Sequence, residues 1–195
     1  MLFFTPLTVL CLAVTSVVSS PTPLVPEAAP ALARRDQASI TNAITEISNN
    51  LIELNNTVTE FYPSVPGTIT AIKVAALAGD LKHTIDHGTN IVSQSEVLTQ
   101  EESLPVAFAV INLSNEVFSS LNNIVSKKWA FDDAILGFAS ASPLVKLLLQ
   151  ALRSSTQEFG TTLTSKLDAS LQGVAPTILT NIDNAFAAAI AAYST

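Results

Sequence analysis

The stretch DQASITNAITEISNNLIELNNTVTEFY, residues 36–62, places Ile40, Ile44, Ile47, Leu51, Leu54, Val58 and Phe61 at alternating steps of four and three. A strand would alternate every second residue, whereas steps of three and four return to one face of an α-helix. One long apolar stripe of this kind needs a partner surface along its whole length. Pro63 and the Pro66-Gly67 pair are expected to end the helix.

The same period continues to the C-terminus. A second helix is expected from about Thr68 to Ser95, with Val74, Leu77, Leu81, Ile85, Gly88 and Val92 on its stripe and a second apolar edge at Ile69, Ile72 and Ala76. The third starts with Thr99 and Glu102 in capping-box spacing, or with Ser103 ahead of Pro105, and runs to about Lys128. Its stripe is Val106, Val110, Leu113, Val117, Leu121 and Ile124; Phe108, Ile111, Phe118 and Val125 form a second apolar face, which predicts a central helix contacted from both sides. Residues 129–141 read poorly, with a short helix starting at Phe131-Asp132-Asp133 and ending near Ser140. Ser142 and Pro143 predict an N-cap and first position, followed by Val145, Leu149, Leu152, Thr156, Phe159, Leu163 and Leu167, with Gly173 as the break. Ala175-Pro176 opens a last helix carrying Leu179, Ile182, Phe186, Ala189 and Tyr193. No segment alternates like a strand, and hairpin dipeptides are absent. The expected fold is all-α, an elongated up-and-down bundle of about five amphipathic helices crossing near ~20°.

The ends of the chain read differently. Residues 2–18 (LFFTPLTVLCLAVTSVV) are an apolar run followed by Ser19 and Ser20, the layout of a secretory signal over residues 1–20. Residues 21–33 (PTPLVPEAAPALA) hold four prolines and no period, which predicts an extended spacer. The spacer ends in Arg34-Arg35, a dibasic pair that reads as a processing site and sets the helical domain at residues 36–195. Removal of the first 35 residues takes Arg34, Arg35 and Glu27, leaving seven basic and fifteen acidic residues, a net charge of -8 against -7 for the whole chain. The one cysteine, Cys11, lies inside the signal, so the remaining domain has no disulfide and no thiolate site.

Composition narrows the function. Charged residues make up 13% and hydrophobic ones 48%, so Ser, Thr, Asn and Gln must supply the polar surface. The acidic balance excludes a nucleic-acid binder, and the apolar content excludes a disordered acidic chain. His83 and His87 sit at i and i+4, but the residue after His83 is Thr84 and no third ligand follows, so no zinc hydrolase and no metal site is expected. A serine triad would need one of those two histidines and an elbow motif that is missing. The acidic pairs Glu101-Glu102 and Asp132-Asp133 lie near helix starts and Lys127-Lys128 at a helix end, where each complements the helix dipole. No enzyme activity and no cofactor is expected. Asn55-Asn56-Thr57 and Asn112-Leu113-Ser114 are N-glycan sequons, Asn55 being favoured.

A signal, a spacer ending in a dibasic pair and a cysteine-free Ser/Thr/Asn/Ala-rich bundle containing LNNIVSKK, residues 121–128, resemble the fungal hydrophobic surface binding protein A and cell wall galactomannoprotein family. The likeness extends to the spaced Leu/Phe stripe after Lys127-Lys128, and to the proline before the final Ala/Phe helix at Phe186 to Tyr193. It implies a secreted or wall-associated, non-enzymatic protein that adsorbs to hydrophobic surfaces or holds fatty acids in an apolar bundle interior. A structural wall antigen without a ligand is the alternative. The implied partners are hydrophobic surfaces, fatty-acid-like lipid and, through glycans, wall polysaccharide. Residues 185–195 lack the apolar tail of a lipid-anchor signal, so release from the cell is expected.

The stripe residues that would line such an interior are Phe61, Leu77, Phe108, Val110, Leu113, Val117, Leu148, Leu152, Phe159, Ile182 and Phe186. Small residues at Ala75, Ala76, Gly88 and Ala109 would make room, and Lys73, Lys82 or Arg153 would meet a carboxylate. Some 15 buried methylenes at about 0.8 kcal/mol each suffice for micromolar binding after association costs.

Overall fold

The structure, a computed structural model, describes residues 28–62, 65–133 and 140–194. The signal and most of the spacer expected at residues 1–27 lie outside the described residues, as do residues 134–139 of the poorly readable segment. Seven helical segments and no strand occur among the described residues: α1 (Ala28–Thr59), α2 (Val65–Gln94), α3 (Gln100–Ser126), α4 (Lys128–Asp132), α5 (Ser142–Lys166), α6 (Ala169–Gln172) and α7 (Ala175–Ala192). The five long ones are those the periodicity marks.

Several boundaries depart from the sequence reading, each for a local reason. Helix α1 begins at Ala28, so the end of the proline-rich segment and the Arg34-Arg35 backbone are helical and not extended; Pro30 falls in the first turn, where a missing N–H costs nothing. Pro66 likewise sits in the first turn of α2 instead of terminating α1. Thr99 and Glu102 form a full capping box, which leaves Ser103 buried, its hydroxyl accepting the Asp168 N–H (2.9 Å). Ser142 does not cap α5: it is the first helical residue, and its hydroxyl donates to Asp132 Oδ1. The fourth long helix stops at Lys166, before Gly173, because Leu167 is extended and Asp168 caps α6 by accepting the Ser170 N–H (2.9 Å).

Successive long helices run alternately up and down, but their spatial order is a closed ring, α1–α2–α5–α7–α3 and back to α1. Cross-links between elements show the directions. Asn50 donates to Thr84 (2.7 Å) across antiparallel α1 and α2, and Arg153 pairs with Asp183 across antiparallel α5 and α7. Helices α1 and α3 are parallel, joined by Ser48 to Glu116 (2.6 Å) near the middle and by Asn123 Nδ2 to Asn55 Oδ1 (2.8 Å) near their C-termini. The Leu98 N–H reaches the Lys166 carbonyl (2.8 Å) where parallel α2 and α5 end. Tyr193 donates to the Ile124 carbonyl (2.7 Å) where parallel α3 and α7 end; burial pushes its hydroxyl above the ordinary tyrosine range, so it remains a donor.

The ring places one stripe from each helix inside. Ile40, Ile44, Ile47, Leu51, Leu54, Val58 and Phe61 are all buried, as the opening stretch predicts. Helix α3 is not central. Within the ring it has α1 on one side and α7 on the other, so most of its second apolar face points outward: Phe108 is 65% exposed, Ile111 43% and Val125 36%, while Phe118 is half-buried against the core. The second edge of α2 is outward too, with Ile69 and Ile72 exposed. One end of the ring is closed by aromatics: Phe131 of α4 stacks on Phe61 at 4.5 Å between centroids and meets Tyr193 edge-on at 6.2 Å.

Two carboxylates give the fold an acid limit. Lys128 and then Ser142 hold the Asp132 carboxyl below the usual carboxylate range, and Arg153 does the same for Asp183. A carboxyl depressed in the folded state stabilises above the unfolded pKa, and that contribution disappears as pH falls through the folded value. The thermal midpoint should therefore be level from pH 8 to about pH 5 and fall below about pH 4. In an Asp132→Asn/Asp183→Asn protein the fall should be shallower; an unchanged acid limb would contradict this assignment.

Candidate functional site

The interior of the ring is not fully packed. The largest cavity, ≈170 Å³, lies between α3, α5 and the α6–α7 segment. A second, ≈50 Å³, occupies the middle of the ring, and a third, ≈20 Å³, lies beneath the aromatic plug beside Phe131. Leu113, Val117, Thr156 and Phe159 are walls common to the first two; Leu54, Ile124, Leu149 and Leu152 are common to the second and third. The three therefore form one series along the bundle axis, separated only by side chains. On α5 the series runs from Val145 to Leu167, ~33 Å at 1.5 Å per residue.

Close approach of α5 to α7 shapes the largest cavity. A Cβ on Gly160 would stand 2.1 Å from Leu179 Cδ2, so no larger residue fits unless Leu179 turns into the open space. Ile111 and Val174 both line this cavity and are exposed, 43% and 59%, and so mark its mouth.

The walls carry no charged side chain. Their polar groups are hydroxyls. Those of Ser114 and Thr164 are spent on the carbonyls of Ile111 (2.7 Å) and Gly160 (2.7 Å). Ser120 and Thr156 line the central cavity. A hydroxyl on an apolar wall can hydrogen-bond a polar group that enters beside it.

Eight of the eleven expected wall residues lie on this series: Val110, Leu113, Val117, Leu148, Leu152, Phe159, Ile182 and Phe186. Three do not. Phe61 is consumed in the plug, Leu77 packs against the core without facing a cavity, and Phe108 points to solvent because α3 is peripheral. The small residues expected to make room also do something else. At Gly88 a Cβ would already stand 3.3 Å from Ile47 and from Phe159, and the space lies instead at Ala107, Gly160 and Ala175. None of the expected cations reaches the three cavities. Lys82 pairs with Asp86 (2.6 Å), Lys73 is exposed on α2, and Arg153 forms a two-pronged pair with Asp183 (2.6 Å each) that Gln157 joins. That pair borders only a ≈10 Å³ crevice at the α5–α7 seam.

The other singled-out groups fall outside the interior. His83 and His87 are exposed, and no cluster of three metal-ligating side chains occurs among the described residues. Asn55 is half-buried and tied to Asn123, whereas Asn112 is exposed on α3.

A profile described as "Hydrophobic surface binding protein A" matches residues 37–165. The chain belongs to the hydrophobic surface binding protein A family. Within it, the chain is 26% identical over 162 residues to cell wall mannoprotein 1 of Aspergillus flavus; the match covers 83% of this chain and 56% of that one, so the chain spans little more than half of that relative. Among solved structures it resembles Afmp4p in complex with palmitic acid, with a TM-score of 0.74 and 26% identity over 80% of this chain and 99% of that one. Ligand-binding domain 1 of the MP1 protein of Penicillium marneffei, complexed with arachidonic acids, superposes with a TM-score of 0.73 at 16% identity, over 82% and 99% of the two chains, and shares the fold. The all-helical fold is thus shared with these two solved structures, one in complex with palmitic acid and the other with arachidonic acids.

Proposed function

We propose that this protein is a secreted, non-enzymatic carrier of a long-chain fatty acid, held along the axis of the helical ring. The observation that supports this reading most is the uncharged, apolar series of cavities sharing Leu113, Val117, Thr156 and Phe159. A volume of ≈170 Å³ is close to that of an engineered cavity that takes benzene, ~150 Å³, and below the ~300 Å³ at which small-molecule pockets begin. A whole acyl chain therefore requires the shared side chains to turn and merge the spaces. The carboxyl group takes its hydrogen bonds from Ser120 and Thr156 in place of a cation. The eight wall residues named above are the proposed contacts.

Native mass spectrometry of the secreted protein, mixed with palmitic and arachidonic acids, tests the reading. Retention of one or more acyl chains is expected; a protein that stays unliganded with both acids would overturn it. The same spectra report the start of the chain, proposed at Asp36 after cleavage behind Arg35, and the glycans. Between the two sequons, exposure favours Asn112 over Asn55, the reverse of the sequence reading.

Adsorption to hydrophobic solids is a second reading, favoured by a separate observation. Parallel neighbours α2 and α5 expose Ile69, Ile72, Leu144 and Leu147 near the plugged end of the ring.

A further inference from the structure

The mouth of the largest cavity is bordered by apolar side chains that the bundle does not use. Leu104, Phe108 and Ile111 follow one another at i, i+4 and i+7 on the outer face of α3, 43%, 65% and 43% exposed. Val174, 59% exposed, continues them across to the α6–α7 segment, and Ile111 and Val174 are also cavity walls. The apolar exterior is thus continuous with the apolar interior at this mouth.

The two elements around the mouth are apolar and little buried. Gln100–Ser126 and Ala169–Ala192 have mean hydropathies of 1.3 and 1.2 over windows of membrane-spanning length, with only 22% and 17% of those windows buried. Both are helices of the folded ring, so this composition does not make them spans. It does leave two adjacent helices with lipid-compatible outer faces.

Charge narrows the partner. Residues 97–126 and 167–193 contain no Lys, Arg or His. Their acids are mostly engaged: Glu102 in the α3 cap, Asp168 in the α6 cap, Glu116 with Ser48 and Asp183 with Arg153. Of the lysines, Lys73, Lys127, Lys128 and Lys146 lie toward the plugged end, and Lys166, at the mouth end of α5, has its ammonium donating to the Ser95 carbonyl (2.6 Å). A face with exposed Phe, Leu, Ile and Val and no cation suits an uncharged lipid interface and repels, through Glu101, an anionic one.

We infer that the apron of Leu104, Phe108, Ile111 and Val174 docks on an electrically neutral lipid surface, from which a fatty acid passes through the mouth without crossing water. This rests on the fatty-acid reading above and adds to it where, and from what kind of surface, the ligand is taken.

The experiment compares the full secreted protein with a Leu104→Ser/Phe108→Ser variant, two exposed positions that line no cavity. An Ile69→Ser/Leu147→Ser variant serves as control at the opposite end. Two quantities are measured: flotation with phosphatidylcholine or phosphatidylglycerol vesicles, and the rate of palmitic acid uptake from phosphatidylcholine vesicles beside the equilibrium affinity for monomeric palmitic acid. The wild type and the control should float with phosphatidylcholine and no better with phosphatidylglycerol. The apron variant should lose flotation and take up palmitic acid at least 10-fold more slowly, with its monomer affinity within 2-fold of wild type. Equal uptake rates, or flotation on phosphatidylglycerol alone, would overturn the docking face. Apron-dependent flotation by a protein with no affinity for monomeric palmitic acid would leave the docking face standing and remove the cavity reading instead.

Discussion

Phe159→Ala should cost about 3–5 kcal/mol of folding stability, a large share of the roughly 5–15 kcal/mol that a folded domain has to lose. Phe159 is buried at the centre of the ring, where it lies so close to Gly88 of α2 that a Cβ there would stand 3.3 Å from its ring, and it forms part of the wall between the two larger cavities. Neighbours of most core residues can collapse partway into a void. Here the neighbouring space is already empty, so truncation enlarges a cavity with little to fill it, and the loss belongs at the upper part of the usual range. Chemical denaturation monitored by circular dichroism measures it. A midpoint within 1 kcal/mol of wild type would mean that the ring relaxes far more than its helix contacts suggest. Because the same change joins the two cavities, palmitic acid should recover part of the lost stability by binding the folded state alone.

The helices were legible and their arrangement was not, for one physical reason. The α1 stripe has a single interface, so seven apolar residues in register could only be core, and all seven are buried. Helix α3 has two apolar faces, and periodicity reports that a face is apolar without reporting what lies against it. The central position expected for α3 fails because Phe108, Ile111 and Val125 face outward. Cavities are less legible still, since they are mismatches between surfaces that meet only in three dimensions. Gly88, small and on the stripe, was an attractive place for one, yet Ile47 and Phe159 fill it, while Gly160 on α5 permits the α5–α7 approach beside the real space. A signal the sequence reading missed was chemical: Thr156 interrupts an otherwise apolar stripe, and Ser114 and Ser120 fall among the apolar positions of α3. Hydroxyls on a core-facing surface mark a place where the interior expects a polar partner.

Val117→Trp should abolish useful fatty-acid binding while leaving the protein folded. Val117 stands on the wall common to the central and largest cavities, half-buried and without polar contacts, so an indole there projects into existing space. In a close-packed site the same insertion would cost about 1–3 kcal/mol in strain, but open volume beside the side chain offsets that cost, and stability should stay within about 1 kcal/mol of wild type. Binding has no such relief. An acyl chain following the axis must pass Val117, and an obstruction there confines it to one cavity, losing methylene burial at about 0.8 kcal/mol per group. Loss of four such contacts already exceeds ~3 kcal/mol, so affinity for palmitic acid measured by titration calorimetry should fall at least 100-fold. Val117→Ala widens the same passage and should bind as well as wild type or better, which separates blockage from any general disturbance of α3. If the Trp protein binds palmitic acid like wild type, the chain does not run along the axis, and the outer faces of α3 and α7 become the remaining place for it.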